Sequence, residues 1–170
     1  ITRTFPINGR FNQVQKDLYE LVLASQKAAV EKVKSGNLFT DPHEAALNIL
    51  IDGFIQIGLC KGSFDEVKNN GTYKQFFMHR TSHWLGMDVH DVGNYANNEG
   101  KPITLELNNV LTIEPGCYVL PNKEVPKEFW GIGIRIEDDV CVKENFGEIL
   151  SNKAPKEVNE IEEIVGSFHE

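Results

Sequence analysis

The sequence predicts an α+β fold in which helices pack on one face of an antiparallel sheet. Residues 12–72 carry apolar residues at helical spacing together with helix start and stop signals. Two later segments, 110–119 and 132–142, are instead rich in β-branched residues that alternate along the chain. Because the helical segments come first and the strand segments follow, an antiparallel sheet is expected rather than a parallel one.

The first predicted helix begins at Asn12, which can cap the helix while the Gln15 side chain reaches back to the Asn12 backbone. Gly36 is expected to end it, since glycine commonly terminates helices. Between these signals, apolar residues recur at the spacing of one helix face: Val14, Leu18, Leu21, Val22, Ala28, Ala29 and Val33. An amphipathic helix is therefore predicted.

The second predicted helix has stronger start signals. Asp41 is the expected cap, Pro42 occupies the first turn, where its missing N–H costs nothing, and Glu44 completes a capping box. The body from Ala45 to Ile57 is apolar on most sides. A helix of this composition is predicted to be well buried.

Two shorter helices complete this part of the prediction. Ser63 and Glu66 are typical of a helix start and Gly71 of a helix end, which indicates a short surface helix. Residues 156–165 predict a closing helix, and the acidic run 157–163 is interpreted as its solvated face.

The two predicted strands each place a glutamate on the face away from the core, because side chains alternate along a strand. In the first strand, Thr112 and Glu114 share that face, and Pro115 then ends regular pairing. In the second strand, Ile132, Ile134 and Ile136 point to the core. The opposite face of the second strand carries Gly131, Gly133, Arg135, Glu137 and Asp139.

The composition excludes some partners. Lys plus Arg number 17 and Asp plus Glu 25, so the net charge is −8, which argues against nucleic acid or an anionic membrane surface. No apolar run approaches the ~20 residues of a membrane span. The cysteines Cys60, Cys117 and Cys141 are odd in number and lack CxxC spacing, which predicts buried reduced thiols and a cytoplasmic protein.

A candidate metal site combines a histidine with the two glutamates. The segment 76–93, FFMHRTSHWLGMDVHDVG, holds three of the five histidines. If His83 joins Glu114 and Glu137, one imidazole and two carboxylates form a ligand set suited to Mn(II), Fe(II), Co(II) or Mg(II) rather than to structural zinc. The alternative is a solvated sheet face, but the two glycines beside Arg135 leave space for a ligand to approach.

Four segments closely resemble Xaa-Pro aminopeptidase (aminopeptidase P): ITRTFPINGRF, HRTSHWLGMDVHDVG, LTIEPGCYV and GIGIRIEDDV. The resemblance extends over essentially all 170 residues. It implies the pita-bread fold shared with methionine aminopeptidase and prolidase. Residues 1–170 would then be the C-terminal part of the peptidase catalytic domain, with two long helices on a curved antiparallel sheet. The N-terminal domain and the first half of the catalytic domain would be absent.

The resemblance also implies two metal ions, usually Mn(II), per complete site. His83, Glu114 and Glu137 would be ligands, with Glu137 bridging the ions. Glu114 would also accept a proton from the nucleophile. The resemblance further implies that four other residues bind substrate, and these are His79, His90, Tyr118 and Arg135. Of these, His79 and His90 would also stabilise the tetrahedral intermediate.

The implied activity is hydrolytic release of the N-terminal residue from peptides with proline in second position, by attack of a bridging hydroxide. Two alternatives remain open. Prolidase cuts only dipeptides, and a non-catalytic pita-bread module would bind protein. The second alternative is disfavoured because such modules typically lose metal ligands, whereas the three expected here are present.

Two features depart from the family pattern. The family has one Asp immediately before ITRTFP and another further upstream, so residues 1–170 alone are expected to be inactive, whereas the longer protein is expected to be an active homo-oligomer. Arg80 stands where the family usually has glycine, which adds a cation beside His79. The remaining histidines, His43 and His169, are predicted to be surface and tail residues.

Overall fold

The computed structural model describes residues 1–166. In this part of the chain, the helices and strands are α1 (Gln13–Val30), α2 (Asp41–Gln56), α3 (Phe64–Asn70), β1 (Val110–Ile113), β2 (Gly116–Tyr118), β3 (Gly133–Arg135), β4 (Asp138–Val142), β5 (Gly147–Ile149) and α4 (Val158–Gly166). The α+β class with antiparallel sheets is confirmed. The finer description of two long helices on one sheet is not, because these residues form four α-helices and two small sheets.

The first helix begins as predicted and ends earlier. The side chain of Asn12 accepts a hydrogen bond from the Gln15 backbone, and the Gln15 side chain accepts one from the Asn12 backbone, so the capping box is present. Helix α1 ends at Val30. The chain then turns, and Gly36, with φ +90°, serves this turn rather than the helix end. Leu18, Val22 and Ala29 are buried as the periodicity predicts.

Helix α2 starts at Asp41 but is not capped as predicted. Thr40 precedes it without a side-chain cap, and the Asp41 carboxylate instead accepts a hydrogen bond from the Leu38 N–H at 2.8 Å. Glu44 forms an ion pair with Lys68 at 3.0 Å and not a capping box. The prediction of Asp41 as the cap was therefore wrong, whereas Pro42 lies in the first turn as expected.

The two shorter helices match their sequence signals. Ser63 and Glu66 form a capping box at the start of α3, and Gly71 closes it in the left-handed conformation with φ +67°. Helix α4 covers most of the predicted closing helix, whereas His169 lies outside the described residues. Within residues 1–166, no helix combines the length and apolar character that crossing a bilayer requires.

The strands pair in one continuous antiparallel register. Ile113 of β1 lies opposite Asp138 of β4, and Gly116 of β2 lies opposite Arg135 of β3. The same register therefore runs through both pairs, and it is interrupted at Pro115, which has no N–H to donate. Strand β5, which the sequence did not predict, adds to the free edge of β4.

The core lies between the helices and the strands. One apolar cluster joins α1 and α2 to β2 and β3, and a second surrounds β1 and β4. Cys60, Cys117 and Cys141 are buried free thiols, as predicted. Burial raises the pKa of Cys60 and of Cys117, so both behave as small apolar residues.

Asp138 is a buried carboxylate that sequence reasoning missed. Its side chain is 0% exposed and accepts hydrogen bonds from Arg3 at 2.7 Å, Lys156 at 2.6 Å, Gln26 at 2.8 Å and Ser151 at 2.7 Å. Burial acts to raise the pKa of Asp138, but the hydrogen bonds from Lys156, Arg3 and Ser151 outweigh it and lower that pKa. This network ties the first residues, α1, β4 and the segment before α4 together.

We expect the Asp138→Ala substitution to lower the free energy of unfolding by about 3–5 kcal/mol, because it leaves two largely buried cations without their carboxylate. Urea unfolding followed by circular dichroism measures the change. Glu144→Ala removes an exposed carboxylate from the turn after β4 and should change the same quantity by less than ~0.5 kcal/mol. Equal losses in the two variants would contradict a specific role for Asp138.

Candidate metal centre

The strand register brings the two glutamates together. Glu114 directly follows β1, Glu137 directly precedes β4, and the neighbouring pair is Ile113 with Asp138. Extending this register by one residue sets Glu114 opposite Glu137, and directly opposed residues share one face of an antiparallel pair. The predicted placement of both glutamates on one face is confirmed.

His83 reaches the same point from a loop that runs beside β1. The Thr112 N–H donates to the His83 carbonyl at 3.0 Å, and the Glu114 N–H donates to the Thr81 carbonyl at 2.7 Å. The His83 Nδ1–H donates to the Trp84 carbonyl at 2.9 Å, which leaves Nε2 with its lone pair directed away from the backbone. Nε2 lies 3.4 Å from Glu114 Oε1.

These three side chains meet the geometric conditions for a cation site. The His83 nitrogen and one oxygen each from Glu114 and Glu137 all lie within 4.8 Å of one another. Two atoms that bind one ion at ~2.1 Å can be at most about 4.2 Å apart. The His83–Glu114 separation satisfies this limit. The three ligand atoms are within 4.8 Å of one another, which is slightly more than this limit. A small rotation of the Glu137 side chain or a second ion would accommodate the difference.

The electrostatics of the pair also favour a cation. Burial raises the pKa of Glu114, and the nearby Glu137 carboxylate raises it further, against the opposing effects of Arg135, His83 and His79. Two carboxylates in a desolvated position repel one another, and a divalent cation between them would remove that cost. One imidazole nitrogen and carboxylate oxygens are donors that divalent transition metals accept.

His79 belongs to a hydrogen-bonded chain that ends at Arg135. Its Nδ1–H donates to the Arg80 carbonyl at 2.8 Å, and its Nε2 accepts from the Tyr118 hydroxyl at 2.8 Å in the neutral ring. The same hydroxyl accepts from Arg135 Nε at 2.9 Å. Arg135 Nη1 in turn lies 3.6 Å from Glu114 Oε2. The chain therefore connects His79 to a proposed metal ligand.

His90 lies beside His83, with ring centroids 4.5 Å apart and an interplanar angle of 72°. Its side chain is exposed, which places it at the rim of the site. The structure therefore brings all seven of the predicted site residues to one face of the protein: His79, His83, His90, Glu114, Tyr118, Arg135 and Glu137. The roles of the individual residues remain predictions.

Sequence reasoning missed two threonines whose hydroxyl groups contact the glutamates. The Thr2 hydroxyl donates to Glu137 Oε2, and the Thr2 and Glu137 backbones pair as an isolated antiparallel bridge. The buried Thr112 hydroxyl accepts from the His83 N–H at 3.1 Å and lies 3.4 Å from Glu114 Oε1. Thr112 and Glu114 are two residues apart and so share one strand face, which is the sequence signal that could have predicted the second contact.

Gly116, which pairs with Arg135, is a glycine whose role in the site sequence reasoning missed. A Cβ on Gly116 would lie 2.8 Å from the Ile134 carbonyl oxygen and would collide with the Tyr118 hydroxyl. A Cβ on Gly133 would instead lie 3.5 Å from a Tyr118 ring carbon, an ordinary contact distance. Gly116 therefore lets the Tyr118 ring lie across the strand to reach His79.

The prediction that His43 is a surface residue was wrong. His43 is partly buried, its Nδ1 lies 2.8 Å from the Thr81 hydroxyl, and its ring packs near Phe77 with centroids 5.7 Å apart. Burial lowers the pKa of His43. The start of α2 faces the loop that carries His83 instead of solvent, which local sequence could not reveal.

A cleft of about 730 Å³ opens at His83 and Glu114. Its polar lining includes His79, Arg80 and Arg135, and its apolar walls include Phe39, Tyr95 and Pro102. A second cleft, of about 760 Å³, lies on the other side of Trp84 and includes none of the three candidate ligands. The first cleft is large enough for a short peptide.

Residues 1–144 match the model of metallopeptidase family M24. The chain belongs to this family. The relatives that it matches include Xaa-Pro aminopeptidases. The Xaa-Pro aminopeptidase of Haemophilus influenzae is 42% identical over 165 residues, which are 97% of this chain and 38% of the relative. The chain therefore spans little more than a third of the length of this relative.

Solved structures agree with this assignment. Pseudomonas aeruginosa aminopeptidase PepP is 46% identical, with a TM-score of 0.95 over 98% of this chain and 38% of that chain. Escherichia coli aminopeptidase P with the inhibitor Pro-Leu is 40% identical, with a TM-score of 0.93 over 99% of this chain and 38% of that one. At these identities the likeness supports the pita-bread fold that the sequence predicted.

We expect Gly116→Ala to displace the Tyr118 hydroxyl and to lower the free energy of unfolding by about 1–3 kcal/mol, the usual cost of overpacking. Urea unfolding measures the stability, and a crystal structure of the variant shows whether Tyr118 still contacts His79. Gly133→Ala on the same face is the matched control and should be tolerated. The role of Gly116 is excluded if Tyr118 keeps both hydrogen bonds in Gly116→Ala.

Proposed function

We propose that this chain is the C-terminal part of the catalytic domain of an Xaa-Pro aminopeptidase, which releases the N-terminal residue from peptides with proline in second position. The convergence of His83, Glu114 and Glu137, the first two of which line a peptide-sized cleft, carries the proposal. Membership of family M24 and the Xaa-Pro aminopeptidase relatives support it. The inhibitor Pro-Leu of the E. coli neighbour begins with proline, which is consistent with this specificity.

Two Mn(II) ions are proposed for the complete site, which His83, Glu114 and Glu137 would help to hold. The two glutamates offer only two negative charges against four positive ones, so further carboxylates are needed. The resemblance implies that two Asp residues of the longer protein supply them.

Divalent ions at these ligands would supply Lewis acidity and a nucleophilic water near neutral pH. Glu114 belongs to the ligand set and would also accept a proton from that nucleophile. His79 accepts a hydrogen bond from the Tyr118 hydroxyl, which itself accepts one from Arg135. This network holds the His79 ring at the wall of the cleft, where the resemblance gives it a role in binding substrate.

Recognition of proline is proposed to depend on shape. A proline residue has no amide N–H, and its ring fixes the backbone dihedral φ. The site therefore cannot recognise this residue through a hydrogen bond donated by its backbone. Phe39, Tyr95 and Pro102 supply apolar surface in the cleft against which such a ring can pack.

The longer protein is also proposed to be a cytoplasmic homo-oligomer. Three buried free thiols are typical of a reducing compartment. Ile7, Met87 and Val92 are each more than nine-tenths exposed, so they are available for contact with the rest of the longer protein or with a second copy of it.

The proposed function predicts metal-dependent hydrolysis of Xaa-Pro peptides by the longer protein. After chelation the activity should disappear, and Mn(II) should restore it. We expect Glu137→Ala to lower kcat/KM at least about 100-fold, because changing even a neighbour of a metal ligand typically costs 10- to 100-fold. The assay is release of alanine from Ala-Pro-Ala, with Glu144→Ala as the control. Full activity of Glu137→Ala would exclude the assignment of this ligand.

A further inference from the structure

Two arginines line the cleft, and only one of them is paired. Arg135 donates to the Tyr118 hydroxyl and lies 3.6 Å from the Glu114 carboxylate, so its charge is balanced within the site. Arg80 is exposed and lines the same cleft. Among residues 1–166, no carboxylate forms an ion pair with Arg80. Within the described part of the chain, the Arg80 guanidinium in this cleft therefore has no carboxylate to balance its charge.

The backbone of Arg80 is held by a hydrogen bond within the site. Its carbonyl accepts the hydrogen bond from His79 Nδ1 at 2.8 Å, so the backbone from which the guanidinium extends is held directly beside His79. Phe39 and Thr40, which directly precede α2, line the same cleft as Arg80. Arg80 thus extends from the His79 wall of the cleft, whereas Glu114 follows β1 and Glu137 precedes β4.

The position of Arg80 matches the direction of a bound peptide. The proposed function places the first peptide bond at the ligands His83, Glu114 and Glu137, and Arg80 can attract an anionic group further along the peptide. An arginine is well suited to this because its planar guanidinium can donate two parallel hydrogen bonds to one carboxylate. A substrate with its amino end at the glutamates would direct its later residues towards the open part of the cleft.

We propose that Arg80 is a specificity-determining residue that binds a substrate carboxylate on the C-terminal side of the proline. This inference rests on the proposed aminopeptidase function. The carboxylate has two possible sources, the α-carboxylate of a short peptide or an acidic side chain in a longer one. Because Arg80 is exposed, the preference over an uncharged peptide should be about two- to fivefold and should decrease with added salt.

The test uses the longer protein with Mn(II) and two pairs of peptides. Ala-Pro-Ala against its C-terminal amide tests the α-carboxylate, and Ala-Pro-Glu-amide against Ala-Pro-Gln-amide tests an acidic side chain. The measured quantity is the ratio of kcat/KM within each pair, at low and at high salt. The variants are Arg80→Gln and Arg80→Lys, and Lys123→Gln is the control that removes one exposed cation outside the cleft.

The proposal expects a ratio above about two in at least one pair for the wild type, expressed mainly in KM and reduced by salt. Arg80→Gln should bring that ratio to about one. Arg80→Lys should keep part of it, because it retains the charge but loses the two parallel hydrogen bonds, and Lys123→Gln should leave it unchanged. The pair that responds identifies the source of the carboxylate. A wild-type ratio near one in both pairs, or a ratio unchanged by Arg80→Gln, overturns the role of Arg80. Absence of hydrolysis of every peptide would instead overturn the aminopeptidase function, and this inference with it.

Discussion

The antiparallel register between residues 110–118 and 133–142 is the constraint on which the site depends. It sets Glu114 opposite Glu137 at the point where Pro115 interrupts the ladder. The interruption divides the paired strands into two short sheets without changing which residues face each other. A shift of one residue in either strand would turn the glutamate of that strand into the core, because side chains alternate along each strand. The candidate metal centre therefore depends on the pairing of the two strands, and no single side chain is enough to form it.

The same alternation gives adjacent acidic residues opposite environments. The Glu137 carboxylate lies beside His83 and Glu114, whereas Asp138 points into the core and is 0% exposed. Arg3 neutralises Asp138 and also donates to the Glu137 carbonyl at 2.6 Å. The buried network thus holds the backbone of a candidate ligand, and the folding energetics of this region and the geometry of the site are coupled through one arginine.

Hydrogen bonds beyond the ligands orient most of the site. The Thr2 and Thr112 hydroxyls contact Glu137 and Glu114, the Trp84 carbonyl selects the His83 tautomer, and Tyr118 crosses Gly116 to reach His79. Such contacts restrict each donor atom before an ion binds, which lowers the ordering cost of binding. Arg80 is the exception on the cleft wall, because its guanidinium has no carboxylate partner in the described part of the chain.

Sequence alone determined most of the features that depend on residues two to four positions apart, and the predicted cap at Asp41 is an exception. The capping boxes of Asn12 with Gln15 and Ser63 with Glu66, and the strand faces of Glu114 and Glu137, follow from such local geometry. The resemblance then supplied the set of site residues that the fold brings together.

Only the tertiary structure decided what depends on distant segments. The burial of His43 against Thr81, the neutralisation of Asp138 by Arg3 and Lys156, and the addition of β5 to the sheet each join residues remote in sequence or leave no local pattern. The periodicity of a segment specifies which of its faces is apolar, but not which segment covers that face. The partners of these residues are therefore set by packing of the whole chain.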